Sequence, residues 1–343
     1  MVLVTGATGF LGSHLVCRLL ADGQIVRACK RNTSDTKEFN FVFQHYFPEP
    51  AQQLKLAENL VWVQTDVLEL DTLAEAIIGV NWVYHCAALV SFEAADRDLL
   101  MEVNAVGTAN VVNLCLLNSV KNLCYVSSIA SLGRTKSGST MNENSKWETS
   151  ALNSNYAISK YKAELEVWRG SEEGLDVIIV NPGVIIGVGD FKKGSNSLIN
   201  SIYKGMPLYS MGVNGYVDVK DVARAMILLV QSNIRNQRFV MVGSNLRIRD
   251  LFFMIADSFN KKRPSILVTP FLAALSWRVM KVVRLFYKKG IAITKETARA
   301  AINESYYNSN KIITELSFTF TPIETTVKDC CEAYLTTTKN NLL

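Results

Sequence analysis

A tyrosine and a lysine four residues apart, Tyr156 and Lys160, could do acid–base chemistry. They stand at the start of a segment with helical spacing, where side chains at positions i and i+4 share one helix face. An ammonium group beside a phenol favours the tyrosinate and would lower the tyrosine pKa from its usual value of about 10. Such a tyrosine can give a proton to a carbonyl oxygen or take one from an alcohol.

The same spacing occurs a second time, at Tyr307 and Lys311, in an irregular C-terminal region. Their context separates the two copies. Only the first copy follows an apolar run that ends in Val126-Ser127-Ser128, where a serine hydroxyl can polarise the same carbonyl oxygen. We therefore place the reactive tyrosine and lysine in the first copy.

Three glycines, Gly6, Gly9 and Gly12, follow the first apolar run and open the first helical segment. Glycine there permits a tight turn, close approach of the backbone to a pyrophosphate, and close packing of helix on strand. The free N–H groups at a helix N-terminus favour phosphate. The spacing is GxxGxxG rather than GxGxxG, and a plain strand–helix turn is the alternative interpretation. The strand–turn–helix context favours dinucleotide binding.

Basic residues follow the second apolar run, where an NAD enzyme usually has a carboxylate for the ribose 2′-hydroxyl. Lys30 and Arg31 stand there, and no acid occurs before Asp35. A guanidinium pairs well with a 2′-phosphate, so these residues predict NADP(H) in preference to NAD(H). A solvated strand end is the alternative. Asp66, after the third run, is placed to accept from an adenine amino group, and His85 is interpreted as a packed strand-end residue.

Short apolar runs alternate with helical segments through the first half of the chain. The runs lack strict alternation, as strands buried on both faces do. Repeated strand–helix units predict an α/β fold with a doubly wound parallel (Rossmann) sheet and a ligand crevice at the carboxyl ends of its strands. The predicted strands are Met1–Thr5, Ile25–Cys29, Val61–Gln64, Val80–His85, Leu123–Ser127 and Val177–Asn181.

The pattern changes after Pro182, where glycine and serine become more frequent and the alternation of units is lost. We predict a dinucleotide-binding domain over 1–181, with 216–243 returning to it. The segments 182–215 and 244–343 are predicted to form a smaller, irregular and mainly helical substrate domain.

The composition is that of an ordinary globular protein, with 343 residues, 49% hydrophobic and 20% charged. A net charge of +5 is too mild to indicate nucleic-acid binding. Seven cysteines without a CxxC pair fit reduced, packed thiols better than a zinc site, so no metal is expected. No secretory signal or membrane-spanning run is evident in the sequence, which predicts a cytoplasmic protein.

Together these motifs resemble the extended short-chain dehydrogenase/reductase family, which includes NAD-dependent epimerases and dehydratases. The resemblance covers about residues 1–230, with its motifs in the family's order. They are TGATGFLG (5–12), Asp66-Val67, HCAA (85–88), Asn104 within VNAVGTANVV, VSSIAS (126–131), YAISK (156–160), NPG (181–183) and YVDVKDVA (216–223).

The resemblance implies that Ser128, Tyr156 and Lys160 are catalytic, with Ser128 preferred over Ser127 from its spacing to Gly133. It implies hydride transfer at nicotinamide, with the tyrosine moving the proton, the lysine tuning it and holding the ribose, and the serine orienting the carbonyl. The implied cofactor-binding residues are Gly6, Thr8, Gly9, Phe10, Leu11, Gly12, Lys30, Arg31, Asp66, Val67, Ala87, Ala88, Asn104, Tyr156, Lys160, Pro182, Gly183 and Val184.

The branch of the family is indicated by the segment before Tyr216. Nucleotide-sugar epimerases typically carry Arg-Asp-Phe there, whereas this chain has Val213-Asn214-Gly215 without a cation. The region resembles the dihydroflavonol-reductase and 3β-hydroxysteroid-dehydrogenase-like branch, which implies reduction of a weakly charged or apolar ketone or aldehyde, or the reverse. A nucleotide-sugar epimerase or dehydratase remains the alternative, because Lys192 and Lys193 could meet a phosphate. A non-catalytic NADP(H)-binding scaffold is a third hypothesis.

Two further surfaces could bind partners. The family often dimerises through two long helices, here Asp98–Asn118 and Asn155–Gly170, whose apolar faces fit either a homodimer or the internal core. From Lys261 to Lys295 there are nine Lys and Arg residues and no acid. The amphipathic segment 271–289 within this stretch fits a surface helix with a solvated basic face. The alternative is peripheral contact with anionic lipid.

Overall fold

The computed structural model describes residues 1–133, 139–150, 153–269, 272, 298 and 301–339. The strands are β1 (Val2–Thr5), β2 (Val26–Lys30), β3 (Leu60–Gln64), β4 (Trp82–His85), β5 (Asn122–Val126), β6 (Thr140–Met141), β7 (Asp176–Pro182), β8 (Val184–Ile186), β9 (Leu208–Tyr209), β10 (Val213–Asp218), β11 (Gln237–Met241), β12 (Ser244–Arg247), β13 (Ile266–Leu267) and β14 (Tyr306–Tyr307). The α-helices are α1 (Phe10–Ala21), α2 (Lys37–Tyr46), α3 (Pro50–Ala57), α4 (Leu70–Ile77), α5 (Arg97–Leu100), α6 (Gly107–Leu117), α7 (Asn155–Glu172), α8 (Ser197–Tyr203), α9 (Val219–Gln231), α10 (Ile248–Ser258), α11 (Asn310–Leu316) and α12 (Ile323–Lys339).

Seven of these strands form one parallel sheet in the order β11-β7-β5-β4-β1-β2-β3. The predicted doubly wound α/β fold is therefore confirmed. Successive side chains of a strand point to opposite faces, so Val2 and Val4 enter one core with α1, α2 and α9, while Leu3 enters the other with α4, α6 and α7. Burial on both faces explains why the strands read as unbroken apolar runs.

The edge strand β11 was not among the strands predicted from the sequence. It pairs in parallel with β7 from Gln237 to Met241, and α9 packs against the same sheet. Both lie in the segment 216–243 that was predicted to return to the dinucleotide-binding domain. β10 lies outside that sheet, because this strand joins β8 and β12 in a separate three-stranded sheet.

A smaller core lies beside the main sheet. The three-stranded sheet packs there with α8, α10 and α12 through Phe191, Ile199, Leu251, Ile255 and Val327. The predicted amphipathic segment 271–289 lies outside the described residues except for residue 272, so its two interpretations stay predictions.

The helical run from Ala94 to Leu117 bears on the expectation that the chain has no membrane-spanning run. Within the described part of the chain, it is the helix long and apolar enough, by length and composition alone, to cross a membrane. Half of its most apolar window is buried in the fold. Its central turn, Met101–Val106, is a π-helix between α5 and α6. A helix that packs between a sheet and a neighbouring helix is apolar for that reason, so its composition carries little weight as evidence of a span.

Candidate active site

The carboxyl ends of the parallel strands bring the predicted site residues to one edge of the sheet. Gly6 follows β1, Lys30 ends β2 and Asp66 follows β3, while Ala87 follows β4 and Ser128 follows β5. In open α/β sheets the ligand crevice lies at this edge. Residues far apart in the sequence therefore meet here because the strands are parallel.

The glycine turn has the geometry of a phosphate cradle. Gly6 has φ +66°, and a side chain there would place its first carbon 2.7 Å from the Ala87 amide nitrogen. Gly12 lies so close to the Gly6 carbonyl that a side chain would not fit. Gly9 caps α1, and no side chain caps the helix amides that follow. The turn thus fits a pyrophosphate, because free amides at a helix N-terminus bind anions.

The side chains beside the glycines have packing roles. Leu11 is buried in the main core, and the Phe10 ring packs edge-on against His14. Gly189 lies so close to the Phe10 ring that a side chain there would clash. Thr8 is partly buried at the mouth of the turn. Contacts of Thr8, Phe10 and Leu11 with a cofactor would involve mainly their backbone.

Lys30 and Arg31 lie at the carboxyl end of β2 without an acidic partner in the described structure. Lys30 Nζ stands 5.7 Å from the centre of the Trp62 ring, and Arg31 is exposed. Asp66 is partly buried, and its Oδ1 accepts from the Leu68 amide at 3.0 Å. These positions are compatible with binding an adenosine and its ribose substituent.

The remaining predicted cofactor contacts border the same crevice. The Ala87 amide donates to Thr5 Oγ1 at 3.2 Å, and Ala88 is exposed beside it. The Gly183 amide donates to the Met241 carbonyl at 3.0 Å, which fixes the turn from Pro182 to Val184. Val67 packs under α6, where a side chain at position 107 would not fit.

The two serines after β5 have different partners. Ser127 Oγ donates to Glu164 Oε2 at 2.6 Å and is buried. Ser128 Oγ accepts from the Ala130 amide at 3.1 Å, and the Ser128 side chain acts on the Tyr156 phenol, favouring its ionised form. The geometry thus places Ser128, rather than Ser127, beside the predicted proton donor.

Tyr156 occupies the first turn of α7, whose N-terminus is capped by Ser154 Oγ accepting from the Ala157 amide at 3.0 Å. Burial raises the pKa of Tyr156, and the influence of Ser128 opposes that rise only in part. The expected lowering of this pKa by Lys160 is therefore wrong for this state of the protein. Lys160 does not lower it, because its ammonium group donates to Tyr125 and to the Val126 carbonyl of β5.

Lys160 Nζ donates to Tyr125 Oη at 2.6 Å and to the Val126 carbonyl at 2.7 Å. Its side chain is buried, with 1% of the residue exposed. Burial lowers the pKa of Lys160 to about 7, with Glu164 and Cys86 acting in the opposite direction. The lysine is thus held one helical turn from Tyr156 at the base of the crevice.

Asn104 and His85 are committed to internal hydrogen bonds. Asn104 Oδ1 accepts from the Leu89 amide at 2.7 Å, and its Nδ2 donates to the Leu89 carbonyl and to Ser159 Oγ, both at 2.9 Å. His85 is fully buried, and burial lowers its pKa to about 3. Asn104 therefore fixes the loop after β4 against α7, and His85 is the packed strand-end residue expected from the sequence.

Glu164 is a buried acid that the sequence patterns did not single out. Its Oε2 accepts from Ser127, Ser131 and Asn181, and its Oε1 accepts from Arg238 Nη1 at 2.9 Å. Burial acts to raise the pKa of Glu164, but the two serine hydroxyls and the Arg238 charge outweigh it and lower the pKa. The i+4 spacing from Lys160 on α7 was the only sequence signal for this residue.

The second tyrosine–lysine pair does not share a helix face. Tyr307 lies on β14 and Lys311 lies on α11. Lys311 Nζ donates to the Arg238 carbonyl at 3.0 Å, and the Tyr307 backbone pairs with the Asn245 side chain. These contacts give the pair a packing role. Among the described residues, no group of three or more His, Cys, Asp or Glu is arranged to hold a metal ion.

Comparison with known proteins relates this chain to one enzyme family. The model of the NAD dependent epimerase/dehydratase family matches residues 2–243. "Sterol demethylase protein B" of Methylococcus capsulatus is 29% identical over 272 residues, which cover 78% of this chain and 77% of that protein. "Putative dihydroflavonol 4-reductase" of Synechocystis is 27% identical over 334 residues, covering 95% and 92%. Cinnamoyl-CoA reductase 1 of Petunia hybrida is 30% identical over 271 residues, covering 76% and 77%.

A solved structure shares the whole architecture. The dTDP-glucose 4,6-dehydratase DesIV of Streptomyces venezuelae, with NAD and TYD bound, superposes with a TM-score of 0.78. The match covers 100% of this chain and 99% of that one at 21% identity. At that identity the likeness concerns the fold.

Proposed function

The chain belongs to the NAD dependent epimerase/dehydratase family, and from this premise we propose that it is an NAD(P)-dependent oxidoreductase that interconverts a ketone or aldehyde and its alcohol. One observation carries the proposal. Ser128, which follows β5, and Tyr156, in the first turn of α7, interact at the carboxyl edge of the sheet, beside the glycine turn that fits a pyrophosphate. A hydroxyl pair in that position can bind and protonate a carbonyl oxygen.

In the proposed mechanism the nicotinamide cofactor, when bound, supplies or accepts the hydride. Tyr156 is protonated at neutral pH because burial raises its pKa, so it can donate to the substrate oxygen during reduction. Ser128 orients that oxygen through its own hydroxyl. Lys160 places a cation under the crevice and has one N–H left, after Tyr125 and Val126, for the cofactor ribose.

An apolar substrate is supported by the wall beside Tyr156. The Phe92 ring packs edge-on against the Tyr156 ring at 5.8 Å between centroids, and 41% of Phe92 stays exposed. Val90 is exposed on the same segment, which Asn104 holds at Leu89. Two relatives are named as reductases and a third as a sterol demethylase protein, and these names also favour a weakly charged carbonyl substrate.

A nucleotide-sugar epimerase or dehydratase is the second candidate, because the matching family model is that of NAD dependent epimerases and dehydratases. The residues of β10 argue against it, because Val213–Asp218 offers no cation for a diphosphate. Lys193 is paired with Asp190 at 3.1 Å, which leaves Lys192 as the free cation of that loop. A non-catalytic scaffold is disfavoured, because the hydroxyl pair and the buried lysine are all in place.

The activity is tested by incubating the purified chain with NADPH or NADH and a panel of aryl and alicyclic ketones and aldehydes. We expect loss of reduced-cofactor absorbance with an apolar member of the panel, and a KM about tenfold higher for Phe92→Ala than for the wild type.

UDP- and dTDP-sugars form the second arm. Epimerised or dehydrated sugar without net cofactor oxidation would replace the reductase proposal with the second candidate, and cofactor binding without any turnover would indicate the scaffold.

We also propose a preference for NADP(H), based on Lys30 and the exposed Arg31. A charge-assisted pair with a 2′-phosphate contributes about 1.5–3 kcal/mol, or roughly one to two decades in affinity. Titration of both reduced cofactors should give tighter NADPH binding, and Arg31→Ala should reduce that preference. Arg18→Ala is the matched control, because Arg18 pairs with Asp22 on α1 at 3.4 Å. Equal binding of the two cofactors by the wild type would contradict this proposal.

The location and assembly of the protein rest on the sequence. A cytoplasmic location, a homodimer through the two long helices, and lipid contact through 271–289 stay predictions. All seven cysteines are free in the described structure, which is compatible with a reducing compartment.

A further inference from the structure

Tyr125 is a buried phenol that the proposed mechanism does not use. It lies on β5 two residues before Ser127 and is fully buried on the sheet face covered by α6 and α7. Its Oη accepts a hydrogen bond from Lys160 Nζ at 2.6 Å, and that nitrogen lies 4.4 Å from the centre of the Tyr125 ring. A buried ammonium group needs such partners, because burial without them is costly.

Beyond Tyr125, further contacts link buried polar groups on β4, on α6 and at the end of β1. The Tyr125 ring packs against the His85 ring, with 5.4 Å between the centroids, and Thr108 Oγ1 on α6 donates to the Asn104 carbonyl at 2.6 Å. His85 Nε2 lies 3.0 Å from Thr108 Oγ1, and His85 Nδ1 lies 2.7 Å from Thr5 Oγ1. This network of contacts therefore runs from Lys160 through Tyr125 on β5 and His85 on β4 to Thr5, the residue before Gly6.

The directions of these bonds are set by the groups involved. Thr108 Oγ1 gives its proton to the Asn104 carbonyl, so it accepts from His85 Nε2. A neutral ring protonated at Nε2 accepts at Nδ1 from the hydroxyl of Thr5, whose oxygen also accepts from the Ala87 amide at 3.2 Å. His85 then donates from Nε2 to Thr108, which matches a neutral imidazole whose pKa burial lowers to about 3. Every member has a partner. Satisfied buried networks of this kind are rigid, and a single deletion in one is felt by its neighbours.

We propose that Tyr125 is a positioning residue of the cofactor site, which holds the Lys160 ammonium under the crevice and couples it through His85 to the glycine turn. This inference rests on the proposed function, since it assigns Lys160 to the bound cofactor. The two hydrogen bonds from Lys160 to β5 fix Nζ in place, so its third N–H has one direction left. Tyr125 thereby determines the position from which the Lys160 ammonium group would donate to the cofactor ribose.

The charge state of Lys160 depends on the groups around it. Glu164 lies on the same helix, and Cys86 and His85 face it from the end of β4. Tyr156, also on α7, and Tyr125, on β5, complete the titratable surroundings. Replacing Tyr125 by phenylalanine removes an acceptor that favours the charged amine, so the lysine would lose its proton at lower pH than in the wild type, where its pKa is about 7.

The test compares Tyr125→Phe with Tyr84→Phe. Tyr84 is a buried tyrosine on the neighbouring strand β4, and it packs in the opposite core. NADPH and NADH affinities are measured by fluorescence titration between pH 5.5 and 9, together with melting temperatures. For Tyr125→Phe we expect about tenfold weaker cofactor binding at pH 7, with the midpoint of its pH dependence below that of the wild type. Tyr84→Phe should keep the wild-type affinity and midpoint.

The outcomes distinguish a failure of this inference from a failure of the proposed function. If Tyr125→Phe binds cofactor like the wild type at every pH, the inference is overturned while the proposed function stands. If the wild type binds neither cofactor, the proposed function fails first. Should Tyr125→Phe fail to fold, Thr108→Val removes the partner of His85 Nε2 and so tests the coupling through His85, and an unchanged midpoint in that folded variant would also overturn the inference.

Discussion

Tyr156 keeps its proton at neutral pH because burial raises its pKa while the Lys160 ammonium group is bound to β5. A protonated phenol is the form needed to reduce a carbonyl. We expect Tyr156→Phe to lower kcat by about 10²–10⁴ while cofactor affinity stays near the wild-type value, because the phenol supplies the proton and takes no part in the glycine turn. Steady-state kinetics and cofactor titration measure the two effects.

Tyr307→Phe is the matched control for this prediction, because Tyr307 stands in the same tyrosine–lysine spacing but lies on β14. Its kcat should equal that of the wild type. A Tyr156→Phe enzyme with near-wild-type kcat would remove Tyr156 from the mechanism.

At the scale of elements, α1 is tied to the loop after β8 by one buried imidazole. His14 Nε2 donates to the Val188 carbonyl at 2.7 Å, and its Nδ1 accepts from Tyr46 Oη at 3.0 Å. Burial lowers the pKa of His14 to about 3. A neutral His14 thus links α1, which follows the glycine turn, to the segment that leads from β8 into the smaller core.

His14→Leu should destabilise the protein at pH 7 by about 1–3 kcal/mol for each buried group left without a partner. A neutral buried histidine loses stability as pH falls below its unfolded pKa of about 6.5, because only the unfolded chain takes the proton. The variant lacks that loss, so the stability difference should shrink by about 2 kcal/mol between pH 7 and pH 5. Urea unfolding at both pH values measures it, and a constant difference would contradict the assignment of a neutral His14.

At the scale of the whole molecule, Glu164 joins α7 to three strands of the main sheet. Ser127 follows β5, Asn181 lies on β7 and Arg238 lies on β11, and all three bind this carboxylate. Arg238 also donates to the carbonyls of Glu143 and Ser145, so the segment before α7 is held by the same group. The edge of the sheet beneath the site therefore depends on one buried ion pair.

Glu164→Gln should cost about 3–5 kcal/mol of unfolding free energy, because it leaves the partly buried Arg238 without its counter-charge. Glu166→Gln on the same helix is the control. Glu166 pairs with Arg169 at the surface, where the loss should be about 0.5 kcal/mol or less. The pKa of Glu164 is lowered, so its contribution is present above the unfolded pKa and is lost as pH falls below it. Equal losses in the two variants would show that the buried pair adds no stability.

The sequence by itself determined the parallel sheet, the glycine turn and the tyrosine–lysine helix. Each depends on local information: unbroken apolar runs form strands buried on both faces, Gly6 needs its positive φ, and an i,i+4 spacing fixes one helix face. Parallel strands then bring the ends of these runs together whatever the loops contain.

Only the tertiary structure decided which side chains act together. The sequence preferred Ser128 over Ser127 from its spacing to Gly133, but only the structure shows that Ser127 is held by Glu164, 37 residues further along the chain. The direction of the Lys160 ammonium depends on Tyr125, 35 residues earlier in the chain. No periodicity encodes such pairs. They form because buried polar groups must find partners among whatever the packing of strands and helices brings within reach.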